Sequence, residues 1–168
     1  MDVRGDPRDW LDMGCGRSYG LTTAQDRGAF ALPGDESHWP VDRDCDLRHL
    51  RLELDLDLEH SSISGVAIHT LVPINDGLRT LEMDAVELRV TAVSRRPGSS
   101  LSFSQQDGRL RIDLSSPPKA GEEMTLAIEY EATPRRGLYF NAPDEDRPDR
   151  PSQVWTQGQD EDSRYWFP

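Results

Sequence analysis

The stretch "LRLELDLDLEH", Leu50 to His60, decides how this chain is read. Leu50, Leu52, Leu54, Leu56 and Leu58 alternate with Arg51, Glu53, Asp55, Asp57 and Glu59. Successive side chains of an extended strand point to opposite faces. A period of two therefore predicts a β-strand with one dry face and one charged face. Burying each leucine is worth roughly 1.5–3 kcal/mol, so this strand is expected to be a main contributor to the core.

Outward from it, the pattern stays β. "SSISG" reads as a turn and "VAIHTLVPI" as the returning strand. "LRTLEMDAVELRVTAVS" supplies two more short segments, with Val86, Leu88, Val90 and Ala92 on one face. "LSFSQQ" and "RLRIDL" flank Asp107-Gly108, a dipeptide suited to the positive φ angles of a two-residue hairpin turn. After the break at "PPKAGEE", "MTLAIEYEA" directs Met124, Leu126, Ile128 and Tyr130 inward. From "TPRRGLYF" onward the chain reads as loop, with "NAPDEDRPDRPSQ" a Pro- and Asp-rich crossing and "VWTQ" a last short strand. About seven or more strands with no amphipathic helix predict an all-β fold, an antiparallel β sandwich or saddle. Two regions are expected: an irregular Gly/Asp/Arg-rich arm over residues 1–46, and a β-sandwich domain over residues 47–168. Trp10, Phe30 and Trp39 are available to dock the arm.

Charge narrows the partners. The chain has 19 Lys and Arg against 31 Asp and Glu, a formal net charge of -12 at pH 7. An acidic surface repels phosphate backbones and anionic membranes, and favours a cation or the free amino end of a peptide. The opening "MDVRGDPRDWLDMG" carries charges where a signal peptide needs an apolar core, and no later run approaches a membrane span. A cytoplasmic location is the expectation. Cys15 and Cys45 make no disulfide framework and match no metal spacing, so free thiols are expected.

Few residues suggest chemistry. "LDMGCGRSYG", Leu11 to Gly20, looks like the glycine-rich opening motif of nucleotide-dependent methyltransferases. The preceding "RGDPRDW" cannot form the buried strand that motif needs, so a flexible arm is the better reading. His38, His49, His60 and His69 show neither i, i+4 nor zinc-site spacing, which leaves surface or structural roles. No local motif pairs a Ser, Cys or Thr nucleophile with a base. The acidic runs "DEDRPDR" and "DEDSR" read as solvated loops.

The end of the chain is different. "VWTQGQDEDSRYWFP", Val154 to Pro168, joins two glutamines, an acidic run and an aromatic pair. Together with "HLRLELDLDLEHSSISGVAIHTLVP", "LRTLEMDAVELRVTAV" and "AGEEMTLAIEYEATPRRGLYF", it resembles the N-terminal domain of the aminopeptidase N family of zinc peptidases. In that family a Thr-Gln-x-Gln or Thr-Gln-x-Glu loop helps to hold the free α-amino group of the peptide. The resemblance therefore implies a substrate-binding role for Gln157 and Gln159. It implies zinc in a separate catalytic domain, which would be this domain's partner, and no cofactor and no catalytic residue here. The zinc motif His-Glu-x-x-His and the Gly-x-Met-Glu-Asn segment do not occur in the 168 residues, so the catalytic domain is expected to be absent from this chain. The alternative is a stand-alone, non-catalytic interaction module. For that reading Trp155, Tyr165 and Trp166 would be exposed aromatics suited to an interface.

Overall fold

Four of the five repeated leucines, Leu50 to Leu56, lie in the longest strand of a fold that is almost wholly β among the described residues. A computed structural model describes residues 43–143 and 145–168. The glycine-rich run, Cys15, His38, Trp10, Phe30 and Trp39 lie outside the described residues. In chain order the strands are β1 (Cys45–Asp57), β2 (Ser62–Pro73), β3 (Thr80–Asp84), β4 (Leu88–Arg96), β5 (Ser99–Ser100), β6 (Phe103–Gln106), β7 (Arg109–Asp113), β8 (Met124–Ala132), β9 (Leu138–Asn141) and β10 (Gln153–Thr156). A 3-10 turn follows at Asp162–Tyr165. The strands form a five-stranded sheet in the order β1-β2-β8-β4-β5, a three-stranded sheet β3-β7-β6, and the pair β10-β9. Every pairing is antiparallel. The all-β antiparallel fold expected from the sequence is the fold observed.

One continuous core joins the sheets. Ile63, Ala67 and Leu71 of β2, Leu88, Val90 and Val93 of β4, and Met124, Leu126, Ile128 and Tyr130 of β8 pack with Leu81, Leu110 and Ile112 of the smaller sheet. The inward set expected for β8 is fully buried. In β4 the expected face holds for Leu88 and Val90, and a bulge between Val90 and Ala92 then brings Val93 inward in place of Ala92. An extra residue on one strand shifts the side-chain alternation by one, and a period of two read from sequence cannot show it.

The leucine repeat itself is less buried than expected. β1 is an edge strand paired only with β2, so its dry face is half covered. Leu50, Leu52 and Leu54 are partly buried, whereas Leu56 and Leu58 are 48 % and 44 % exposed. The main contribution to the core comes from β2, β4 and β8. Two further readings change. The turn after β1 is Leu58–Ser61, and Ile63, Ser64 and Gly65 are strand residues. Gly65 is required by close approach rather than by a turn: a Cβ there would lie 2.1 Å from the Glu53 carbonyl oxygen. "LYFN" is likewise not loop but β9, the partner of β10. Asp107-Gly108 does form its hairpin turn, with φ of 51° and 75°.

Candidate functional site

β10 brings the glutamines to the surface. Its register on β9 places Trp155 opposite Tyr139, and the two rings stack with centroids 4.4 Å apart. Alternation turns Val154 toward the core and Trp155 outward, where it is 44 % exposed. Beyond Thr156 the pairing stops, but the backbone stays tied. Gln157 N–H donates to the Gly137 carbonyl at 2.9 Å, and Asp162 N–H donates to the Gly158 carbonyl at 3.2 Å. Gln157 and Gln159 are both exposed on this short loop. The structure thus places the two sequence-predicted residues on one exposed loop, whose backbone is tied at Gln157 and Asp162.

The segment after the loop is docked. Trp166 and Phe167 pack on the core and meet edge to face with centroids 4.6 Å apart, and Pro168 is buried. Tyr165 and Trp166 are therefore half-buried rather than exposed, because the tail folds back onto the sandwich; Trp155 alone of the three aromatics is open. The Val86 N–H donates to the Arg164 carbonyl at 3.0 Å, fastening the tail to the turn between β3 and β4. That turn is itself braced by a residue the sequence reading missed. The Gln105 side chain donates to the carbonyls of Ala85 and Leu88 at 3.1 and 2.6 Å and accepts the Val90 N–H at 3.2 Å. The first glutamine of "FSQQ" carries no local signal of this cross-sheet role.

Charge around the loop is mixed. Glu161 meets Arg164 at 3.0 Å, which neutralises part of the acidic run. Arg136 and Arg164 lie 5.6 and 5.7 Å from the Tyr165 ring centre, within cation–π range. Arg135 binds the Glu87 carboxylate through Nε and Nη2 and holds its pKa below the ordinary value. A groove of about 810 Å³ runs past Asp55, Ser64, Glu87, Arg89 and Glu131, and neither glutamine lines it. The arrangement can present uncharged acceptors to a cation. An ammonium group has donors and no acceptor, and a glutamine amide oxygen meets it without the cost of a buried charge.

The family model for the Peptidase M1 N-terminal domain matches residues 46–168, from the second residue of β1 through this loop and tail. The chain belongs to the M1 peptidase family. Solved M1 enzymes share the fold. Native leukotriene A4 hydrolase from Saccharomyces cerevisiae matches with a TM-score of 0.59 and 24 % identity, over 74 % of this chain and 21 % of that one. The M1 zinc metallopeptidase from Deinococcus radiodurans matches with a TM-score of 0.60 and 22 % identity, over 75 % of this chain and 29 % of that one. The chain thus spans between a fifth and a third of the length of these enzymes. No curated protein matches it.

The Deinococcus radiodurans relative is a zinc metallopeptidase, and a zinc site needs three or four converging His, Cys, Asp or Glu donors. Among the described residues no group of three His, Cys, Asp or Glu is placed to hold a metal ion, and the residues present do not fit one. The histidines are scattered. His60 lies in the turn after β1, which Asp57 caps, and its ring meets Asp57 at 2.8 Å, while His69 is 3 % exposed in the middle of β2. Burial lowers the His69 pKa to about 4. Cys45 is a free thiol; burial, then the charges of Asp44 and Asp46, push its pKa up to about 11, which leaves it a poor nucleophile at neutral pH. No helix among the described residues is long and apolar enough to cross a membrane.

Proposed function

We propose that this M1 domain is the N-terminal scaffold and substrate-binding domain of a zinc aminopeptidase, not catalytic on its own, and that Gln157 and Gln159 receive the α-amino group of a peptide. The observation that carries the reading is the state of the loop. Both glutamines are exposed, on a backbone fixed by the bonds from Gln157 to Gly137 and from Asp162 to Gly158. A binding group is most effective when its own freedom is already spent. Two amide oxygens aimed at one ammonium would hold the peptide's first residue and leave bond cleavage to residues of a zinc-carrying catalytic partner. The Deinococcus radiodurans relative was crystallised with a Tyr-Ser-Ala substrate, which has the free amino end this loop would take.

The test joins residues 43–168 to the catalytic part of the Deinococcus radiodurans enzyme, in place of that enzyme's matching segment, and measures leucine p-nitroanilide hydrolysis. A hydrogen bond to a charged group is worth roughly 1.5–3 kcal/mol, so changing Gln157 and Gln159 together to Ala raises KM by about tenfold or more. An unchanged KM removes the assigned role.

One observation favours a second reading. Trp155, 44 % exposed and stacked on Tyr139, is a rigid aromatic platform of the kind found at protein interfaces. A stand-alone interaction module would use it to hold a partner other than a peptidase.

A further inference from the structure

One of the two bonds that pin the glutamine loop ends on Gly137, and the residue that makes the other, Asp162, crowds the same glycine. Gly137 is buried, has a φ of +77°, and its carbonyl accepts the Gln157 N–H at 2.9 Å. A Cβ at this position would lie 2.2 Å from the Asp162 carbonyl oxygen and 2.7 Å from Cδ1 of Trp166. The first of these neighbours is backbone and cannot rotate aside. Asp162 is also the residue whose N–H closes the loop onto the Gly158 carbonyl. Any side chain at position 137 therefore pushes the loop away from the seat that receives it, at both of its ties. Gly121 is a built-in comparison: its φ is +78°, and a Cβ there would have nothing within 4 Å.

We infer that Gly137 is a positioning residue for Gln157 and Gln159, because the space left by its missing side chain seats the 157–162 loop and fixes where the two amide oxygens meet an amino group. The inference rests on the amine-binding reading above. Two demands act at position 137, the left-handed backbone and the lack of room, and they separate chemically. Asparagine tolerates positive φ but carries a Cβ, so it satisfies the first demand and violates the second.

The experiment measures amide hydrogen exchange by NMR on the 168-residue chain and on Gly137→Ala, Gly137→Asn and Gly121→Ala. L-leucinamide is then titrated, with N-acetyl-leucinamide as the blocked control. Both changes at 137 should speed exchange at the Gln157 and Asp162 amides by about tenfold, leaving Leu126 and Ile128 in β8 as they were. Gly121→Ala should leave both loop amides as in the parent. Leucinamide, and not its acetylated form, should shift the side-chain amide signals of Gln157 and Gln159, and the 137 variants should need about tenfold more of it. Unchanged protection at Gln157 and Asp162 overturns the inference. So does a loss spread evenly over β8, or a 137 variant that does not fold, because the role assigned to Gly137 is local. A parent chain that ignores leucinamide overturns the amine-binding reading instead, and the exchange result still decides whether Gly137 seats the loop.

Discussion

His69 sits in the middle of β2, in register with Leu50 of β1 and Leu126 of β8; its Nε2 has no hydrogen-bond partner, and a hydrogen bond with the Pro168 backbone only partly opposes the effect of burial. Burial among apolar neighbours disfavours the charged ring, hence the pKa of about 4 against an ordinary 6.5. The direction of the pH effect follows. Well above pH 6.5 the ring is neutral in both folded and unfolded chains and contributes no pH dependence. As pH falls from 6.5 toward 4 the unfolded chain takes up the proton first, so folding stability declines, by about 3 kcal/mol in all. Urea titrations at pH 7.5 and pH 4.5 should show most of that loss, and His69→Phe should reduce it. A His69→Phe chain with the parent's full pH dependence would place the effect elsewhere. The sequence puts this histidine within the expected strand "VAIHTLVPI", hence on one of its two faces. It could not say that the face was the inner one, because a polar residue in an apolar run is consistent with either.

At the scale of the element, β1 and β8 exchange the importance their sequences suggest. Five alternating leucines are the strongest local pattern in the chain, yet β1 has a neighbour on one side only. β8 lies between β2 and β4 and buries Met124, Leu126, Ile128 and Tyr130 against the second sheet. Periodicity reports which face of a strand is dry; strand order decides how dry, and order is set by pairings distant in sequence. Ile128→Ala, at a residue with no exposed surface, should cost about 2–5 kcal/mol in chemical denaturation. Leu56→Ala, at a residue 48 % exposed, should change stability by no more than about 0.5 kcal/mol. Equal costs for the two would contradict the assignment of the core to β2, β4 and β8. Gly65 shows the same limit from another side. After three serines and an isoleucine, and before a strand, it reads as turn, and only the approach of the Glu53 carbonyl explains it.

On the scale of the molecule, the all-β class and the placing of Gln157 and Gln159 on a surface loop were legible, the first from alternation and turn dipeptides, the second through resemblance to the M1 family. The support beneath that loop was not. Gly137, the Ala85–Leu88 turn and the Gln105 side chain act through contacts between segments 15 to 78 residues apart, and no local pattern encodes them. The docked tail was also hidden, since "YWFP" reads equally well as an exposed patch or as a plug. The central claim is that this M1 domain works as one part of a larger zinc aminopeptidase. The most direct measurement is capture from the source cell with an antibody raised against residues 43–168, followed by size analysis and a leucine p-nitroanilide assay with and without a zinc chelator. The account predicts a product several times larger than 19.0 kDa, with chelator-sensitive aminopeptidase activity. A product of 19.0 kDa alone, with no such activity, would contradict it.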